Sequence, residues 1–166
     1  LLALLAVSIS CAAQDTTPPT LVAYSFTPAA FDVSNSTTTL TGTIQATDDS
    51  AGLQSAFLAF YSPSGNRRVD CHSSLGSFSG TSLSGTFTCL GVFPQYTETG
   101  QWTLQFVSLA DRAGNTAMYQ RSQLSAMGLP TTLTLSGTAD LTAPVLTGYS
   151  FSPLNVNVGG SPVTVS

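Results

Sequence analysis

The chain has 166 residues, of which 42% are hydrophobic and only 7% charged, and its net charge is −4. Its four basic residues are all Arg, and only Arg67 and Arg68 adjoin, so no basic stripe exists to neutralise phosphates and the composition argues against nucleic-acid binding. Hydrophobic content is sufficient for a core, while 47 Ser and Thr, 14 Gly and 9 Pro suit short strands with a solvent-facing side, joined by turns.

In chain order, LLALLAVSISCAAQ is apolar, too short to span a bilayer, and turns polar at Gln14. It reads as the apolar core and cleavage region of an export signal, with residues 1–13 as its remnant. Two readings stay open here. Small residues at Cys11 and Ala13 permit ordinary cleavage before Gln14. Alternatively Cys11 is the acylated cysteine of a lipoprotein, although Ser8 stands where an aliphatic residue is usual. Either way the folded part lies outside the cytoplasm, and no transmembrane segment is expected in the mature chain.

Thr20 to Thr27 is expected as a strand, with Leu21 and Ala23 in one phase and Tyr24 and Phe26 in the other. Phe26-Thr-Pro breaks it, and a short segment follows near Phe31 to Val33. Thr38 to Thr47 alternates cleanly, with Leu40, Gly42, Ile44 and Ala46 on one face, which predicts a half-buried strand. Asp48 to Gly52 is a turn. Gln54 to Tyr61 is a more apolar strand, and Ser62 to Asn66 is a hairpin loop by composition. Arg67 to His72 returns, and further strands are expected at Leu75 to Phe78 and Leu83 to Leu90. Val92 to Gly100 makes a corner. Gln101 to Leu109 is expected to place Trp102, Leu104 and Phe106 on one face, with Trp102 as a core anchor. Asp111 to Asn115 is a turn, and Thr116 to Gln120 a strand. Residues 122–128 carry the one helical signal, with Ser122 as cap, Gly128 as terminator and Pro130 preventing continuation. Thr131 to Ser136 alternates again. Seven or more short strands with regular turns predict an antiparallel β-sandwich.

In an oxidising compartment Cys71 and Cys89 are candidates for a disulfide. If 71–78 and 82–89 pair about Gly80, the two cysteines face each other in register. The bond would then stabilise the fold by on the order of 3 kcal/mol in the chain-entropy model. The alternative is two small buried thiols.

The chain also repeats itself. Asp15 to Pro28 (DTTPPTLVAYSFTP) returns at Asp140 to Pro153 (DLTAPVLTGYSFSP), and 15–41 laid on 140–166 gives 11 identities in 27 positions. A fixed internal period marks a modular array, so 15–139 reads as one complete module and 140–166 as the truncated start of a second. With the linker DTTPP, the turns TDDSAG (47–52) and ADRAGN (110–115) and the run QLSAMGLPTTLTL (123–135) laid out in order, the chain resembles the tandem Ig-like repeat modules of bacterial secreted and surface-exposed proteins. The resemblance covers 15–139 fully and 140–166 as the truncated copy. It implies an all-β, Ig-like antiparallel sandwich, to which the residues themselves add the short helical crossover near 122–128. It implies too a non-catalytic stalk, spacer or adhesive role, whose partners are adjacent modules and a surface protein or glycan. The Cys71/Cys89 pair and the helical insert depart from what every member would carry.

Strand alternation predicts where the acids gather. The chain enters at Asp15, the strand 38–47 returns Asp48 and Asp49 to the entry end, and the strand 101–109 returns Asp111, with Asn115 across its turn. These five oxygen-bearing side chains form a candidate calcium site, calcium taking six to eight oxygens. The competing reading is that Asp48 and Asp111 bond their own turns. Calcium apart, no cofactor is expected. For catalysis the residues offer little: His72 is the single histidine, and its neighbour Cys71 should point to the opposite strand face. Glu98 is the only Glu, without a placed carboxylate partner. No phosphate-binding loop, zinc-spaced ligand set or dinucleotide fingerprint occurs. A third class is an accessory binding module of a larger extracellular enzyme, carbohydrate- or protein-binding, with Tyr61, Tyr96 and Tyr119 as candidate stacking residues unless core packing claims them.

Overall fold

Alternation of apolar and Thr side chains dictates one inner strand, and in the computed structural model, which describes residues 14–74, 77–157, 159–160 and 164, it is β3 (Thr38–Thr47). Leu40, Ile44 and Ala46 are buried, and the threonines between them point outward. Before it come β1 (Thr20–Thr27) and β2 (Ala30–Asp32). After it come β4 (Leu53–Tyr61), β5 (Arg68–Ser74), β6 (Phe78–Thr81), β7 (Ser84–Phe93), β8 (Gly100–Asp111) and β9 (Thr116–Gln120). Helix α1 (Arg121–Ala126) and β10 (Thr132–Ser136) complete the set, so the chain is a β-rich fold with one short helix.

Hydrogen bonding runs along a single path, β1-β3-β7-β5-β4-β8-β10-β2, with β6 added on β7 and β9 on β8. Every pairing is antiparallel except β10 with β2. The first and last strands of this path, β1 and β2, are neighbours in sequence, separated only by Pro28 and Ala29. Proline donates no ladder hydrogen bond, so the chain leaves one edge there and starts the other. That short connection brings the two ends of the sheet together, and the sheet is close to a barrel.

The core lies inside this curl. Trp102 is fully buried against Phe93, ring centroids 5.1 Å apart, and its indole N–H donates to the Glu98 carbonyl. Phe60, Phe87, Leu58 and Leu104 fill the same interior. Two expected faces need correction. In β8, Trp102 and Leu104 point inward, but the register with β4 shifts between Ala59 and Phe60. The phase then flips, so that Val107 and Leu109 are buried and Phe106 turns to the outer face. In β1 a shift between Leu21 and Ala23 does the reverse: Leu21 is buried, and so are Tyr24 and Phe26 in the other phase. A bulge spends one residue to change which face follows.

The disulfide is present between Cys71 and Cys89, with Cα atoms 5.2 Å apart. Its setting differs from the expected hairpin. β6 pairs with β7 about a turn at Ser82 and Leu83, not about Gly80. β5 meets β7 through the registered pair His72–Leu90, one residue beyond each cysteine, so the cysteines are diagonal neighbours rather than directly opposed. The helix also starts differently: its cap is Gln120, two residues before Ser122, and the Gln123 side chain accepts from the Gln120 N–H at 2.8 Å. Its end is as expected, with Gly128 at φ 73° and Leu129 N–H returning to the Leu124 carbonyl, a pattern that favours glycine.

Candidate functional site

The five predicted oxygen-bearing residues all lie at the entry pole, where β3 and β8 end and β4 begins. Asp15 accepts from the Ala51 N–H at 2.6 Å and from the Thr17 N–H at 2.9 Å, which seats the N-terminal segment on the turn after β3. Asp48 Oδ2 accepts from Gly52 and Ser50 N–H groups, an Asx-type turn that needs Gly52 at φ 92°. Asp111 is fully buried, and both its oxygens are taken by its own turn, from the Asn115 N–H and side-chain amide, each at 2.8 Å. The same Asn115 amide reaches the Asp15 carbonyl at 3.2 Å.

The set therefore divides in two. Asp111 and Asn115 are structural ties holding Asp15 in place. Asp15, Asp48 and Asp49 each present one carboxylate oxygen, and these oxygens lie within 4.8 Å of one another. Asp48 Oδ1 is buried and has no hydrogen-bond partner among the described residues. An orphaned buried carboxylate oxygen beside two like charges is costly unless a cation offsets it. Three hard oxygen donors, with turn carbonyls and water to complete six to eight, suit calcium better than zinc or another soft metal. The three acids fit that ion.

The other candidates separate. Cys71 is held in the disulfide inside, while His72 lies outside and stacks on Phe57 with centroids 5.9 Å apart, so the adjacent pair shares no site. The Glu98 carboxylate accepts from the Ser64 hydroxyl and N–H, and its pKa is held below the ordinary Glu range chiefly by that hydroxyl. Tyr119 uses its hydroxyl to accept from the Leu21 N–H, at the bulge of β1. Tyr96 is exposed in the opposite corner, and Tyr61 is half-buried on the outer face of β4. The three tyrosines do not share one surface.

A surface that sequence reasoning missed lies on that outer face. Phe57, Phe106, Tyr61 and His72 project from β4, β8 and β5, and the Arg68 guanidinium stands 5.5–6.0 Å from the Phe106, Tyr61 and Phe57 rings. Arg68 is also bonded to Asp70 at 2.7 Å. The signal that would have found it is the bulge at Gln105, which no alternation pattern displays. Residues 1–13, including Cys11, lie outside the described residues. Among the described residues no helix is long and apolar enough to cross a membrane.

Comparison with known proteins adds no relative: no family model, no curated protein and no solved structure matches the chain.

Proposed function

We propose that the chain is a non-catalytic Ig-like repeat of a secreted or surface-exposed bacterial protein, working as a stalk or spacer in a tandem array. The observation that carries this is the repeat. Leu21, Tyr24 and Phe26 are core residues, whereas their counterparts Leu146, Tyr149 and Phe151 are 77%, 82% and 51% exposed. In this reading they belong to the first strand of a second copy, which forms once that copy supplies its core. The disulfide supports placement outside the cytoplasm. The division of the sheet at β5 and β7, joined by one registered pair among the described residues, supports reading it as the two layers of a sandwich.

Calcium at Asp15, Asp48 and Asp49 would stiffen the point where each module begins. The test is a thermal melt in calcium and in EDTA. Calcium should raise the Tm, and Asp48→Ala should remove the response. A wild-type melt indifferent to calcium would leave those acids as turn-forming residues only. For the array itself, scattering from a protein carrying a complete second copy should report an extended rod, and a compact side-by-side pair would sink the spacer role.

The outer-face cluster of Phe57, Phe106, Tyr61 and His72 favours a second reading, an accessory binding module of a larger extracellular enzyme. Calorimetric titration with soluble oligosaccharides would support it if heat of binding appeared and vanished in Phe57→Ala. Absence of binding heat would favour the spacer.

A further inference from the structure

The exit pole, opposite the acids, holds the first residue of the repeated segment. Asp140 donates its N–H to the Tyr96 carbonyl at 2.7 Å, and its own carbonyl accepts from Arg67 Nη2 at 3.4 Å. Leu141, 66% exposed, follows it and lines one side of a shallow cleft with Ser64, Asn66, Arg67 and Glu98. Asp140 also repeats the local conformation of Asp15, since Thr142 donates to Asp140 Oδ1 at 2.9 Å just as Thr17 donates to Asp15 Oδ1 at 2.9 Å.

From this geometry we infer that Asp140 is a shared joint residue, clamping the entry pole of a following copy of this fold directly onto the exit pole of the preceding one. The inference rests on the array reading above and adds how neighbouring copies are held. In the first copy, Asp15 gives its carboxylate to the Ala51 N–H and its carbonyl to Asn115. In a following copy Asp140 would give the same groups to the counterparts of Ala51 and Asn115. Its backbone N–H is already used by Tyr96. A carbonyl has two lone pairs, so Arg67 and an Asn115 counterpart can share the Asp140 oxygen from opposite sides. Every polar group of one residue then bonds to one copy or the other, leaving no free linker between them. In a following copy that keeps the acidic turn, Arg67 would stand beside the counterparts of Asp48 and Asp49, a favourable pairing of charge.

Arg67→Ala isolates the clamp, because the hairpin itself is held by main-chain and Ser62 bonds, Ser62 N–H to the Arg67 carbonyl and Arg67 N–H to Ser62 Oγ. In a protein with two complete copies joined through the native 139–153 sequence, spin labels on the two copies should give a narrow distance distribution. Arg67→Ala should make it about twofold broader, as for a released flexible joint, with both melting transitions unmoved. A broad wild-type distribution, or a narrow one indifferent to Arg67→Ala, would overturn the clamp while the array reading stands. A second copy that does not fold would overturn both. In the 166-residue chain itself, the Asp140 amide should exchange roughly tenfold more slowly than the neighbouring exposed amides, and equal exchange would overturn the clamp directly.

Discussion

An added Cβ at Gly42 would lie 2.8 Å from Cys89 Sγ, 2.9 Å from Cys71 Sγ and 2.9 Å from Leu58 Cδ1. Gly42 occupies a core-facing position of β3 opposite Cys89, so the disulfide packs where a side chain would otherwise be. The two sulfurs are tied to each other in the disulfide, and the Leu58 methyl belongs to a fully buried side chain, so neither neighbour gives way without repacking. Gly42→Ala should therefore destabilise the fold by about 1–3 kcal/mol through overpacking, read as a lower denaturation midpoint. An unchanged midpoint would mean that β3 can shift away from β5 and β7. A second residue-scale effect is acid sensitivity. Ser34 N–H holds the Asp32 carboxyl below its usual range, and Ser64 does so for Glu98. With folded-state pKa values depressed, the stability they contribute is present above an unfolded pKa of about 4 and is lost as pH falls below it. Denaturation midpoints between pH 6 and pH 3 should fall less steeply in Glu98→Gln than in wild type. Equal slopes would assign the acid response to other carboxylates.

At the scale of elements, the register of β1 depends on a residue almost a hundred positions away. The bulge that brings Leu21, Tyr24 and Phe26 all inward leaves the Leu21 N–H bonded to the Tyr119 hydroxyl of β9 at 3.0 Å. Tyr24 in turn donates to the Pro130 carbonyl, and burial pushes its hydroxyl pKa upward. Tyr119→Phe should leave the Leu21 amide unpaired, at a cost of about 1–3 kcal/mol, with faster hydrogen exchange at Leu21. Unchanged exchange there would show that water replaces the hydroxyl. The strand at 38–47 was legible because one face is wholly apolar. The strands at 20–27 and 101–109 were legible as strands but not by face, because a bulge reverses alternation without any mark in composition.

Across the whole molecule, β5 and β7 meet at a seam that carries one registered pair among the described residues. The group β1-β3-β7 with β6 and the group β5-β4-β8-β10-β2 with β9 meet through the registered pair His72–Leu90. Cys71–Cys89 crosses that same seam. It closes a span of 18 residues, for which chain entropy gives about 3 kcal/mol. Reduction, or Cys71→Ser with Cys89→Ser, should lower the Tm and raise hydrogen exchange first along β5 and β6, while β3 and β4 stay protected. Uniform loss of protection would show that the seam is no weaker than the rest.

Period-two alternation, turn residues and the repeated linker determined the β class, the number and order of most strands, and the gathering of Asp15, Asp48 and Asp111 at one pole. Those are local properties, or follow from strands reversing direction at each turn. Tertiary structure alone decided that Asp111 and Asn115 are spent on holding Asp15, while Asp48 keeps a buried oxygen free. It also decided that Phe106 joins Phe57 outside, and that the cysteines bridge a seam rather than face each other across a hairpin. Each of these outcomes depends on register between strands distant in sequence, where a shift of one residue exchanges the two faces of a sheet. No single strand carries that information in its own residues.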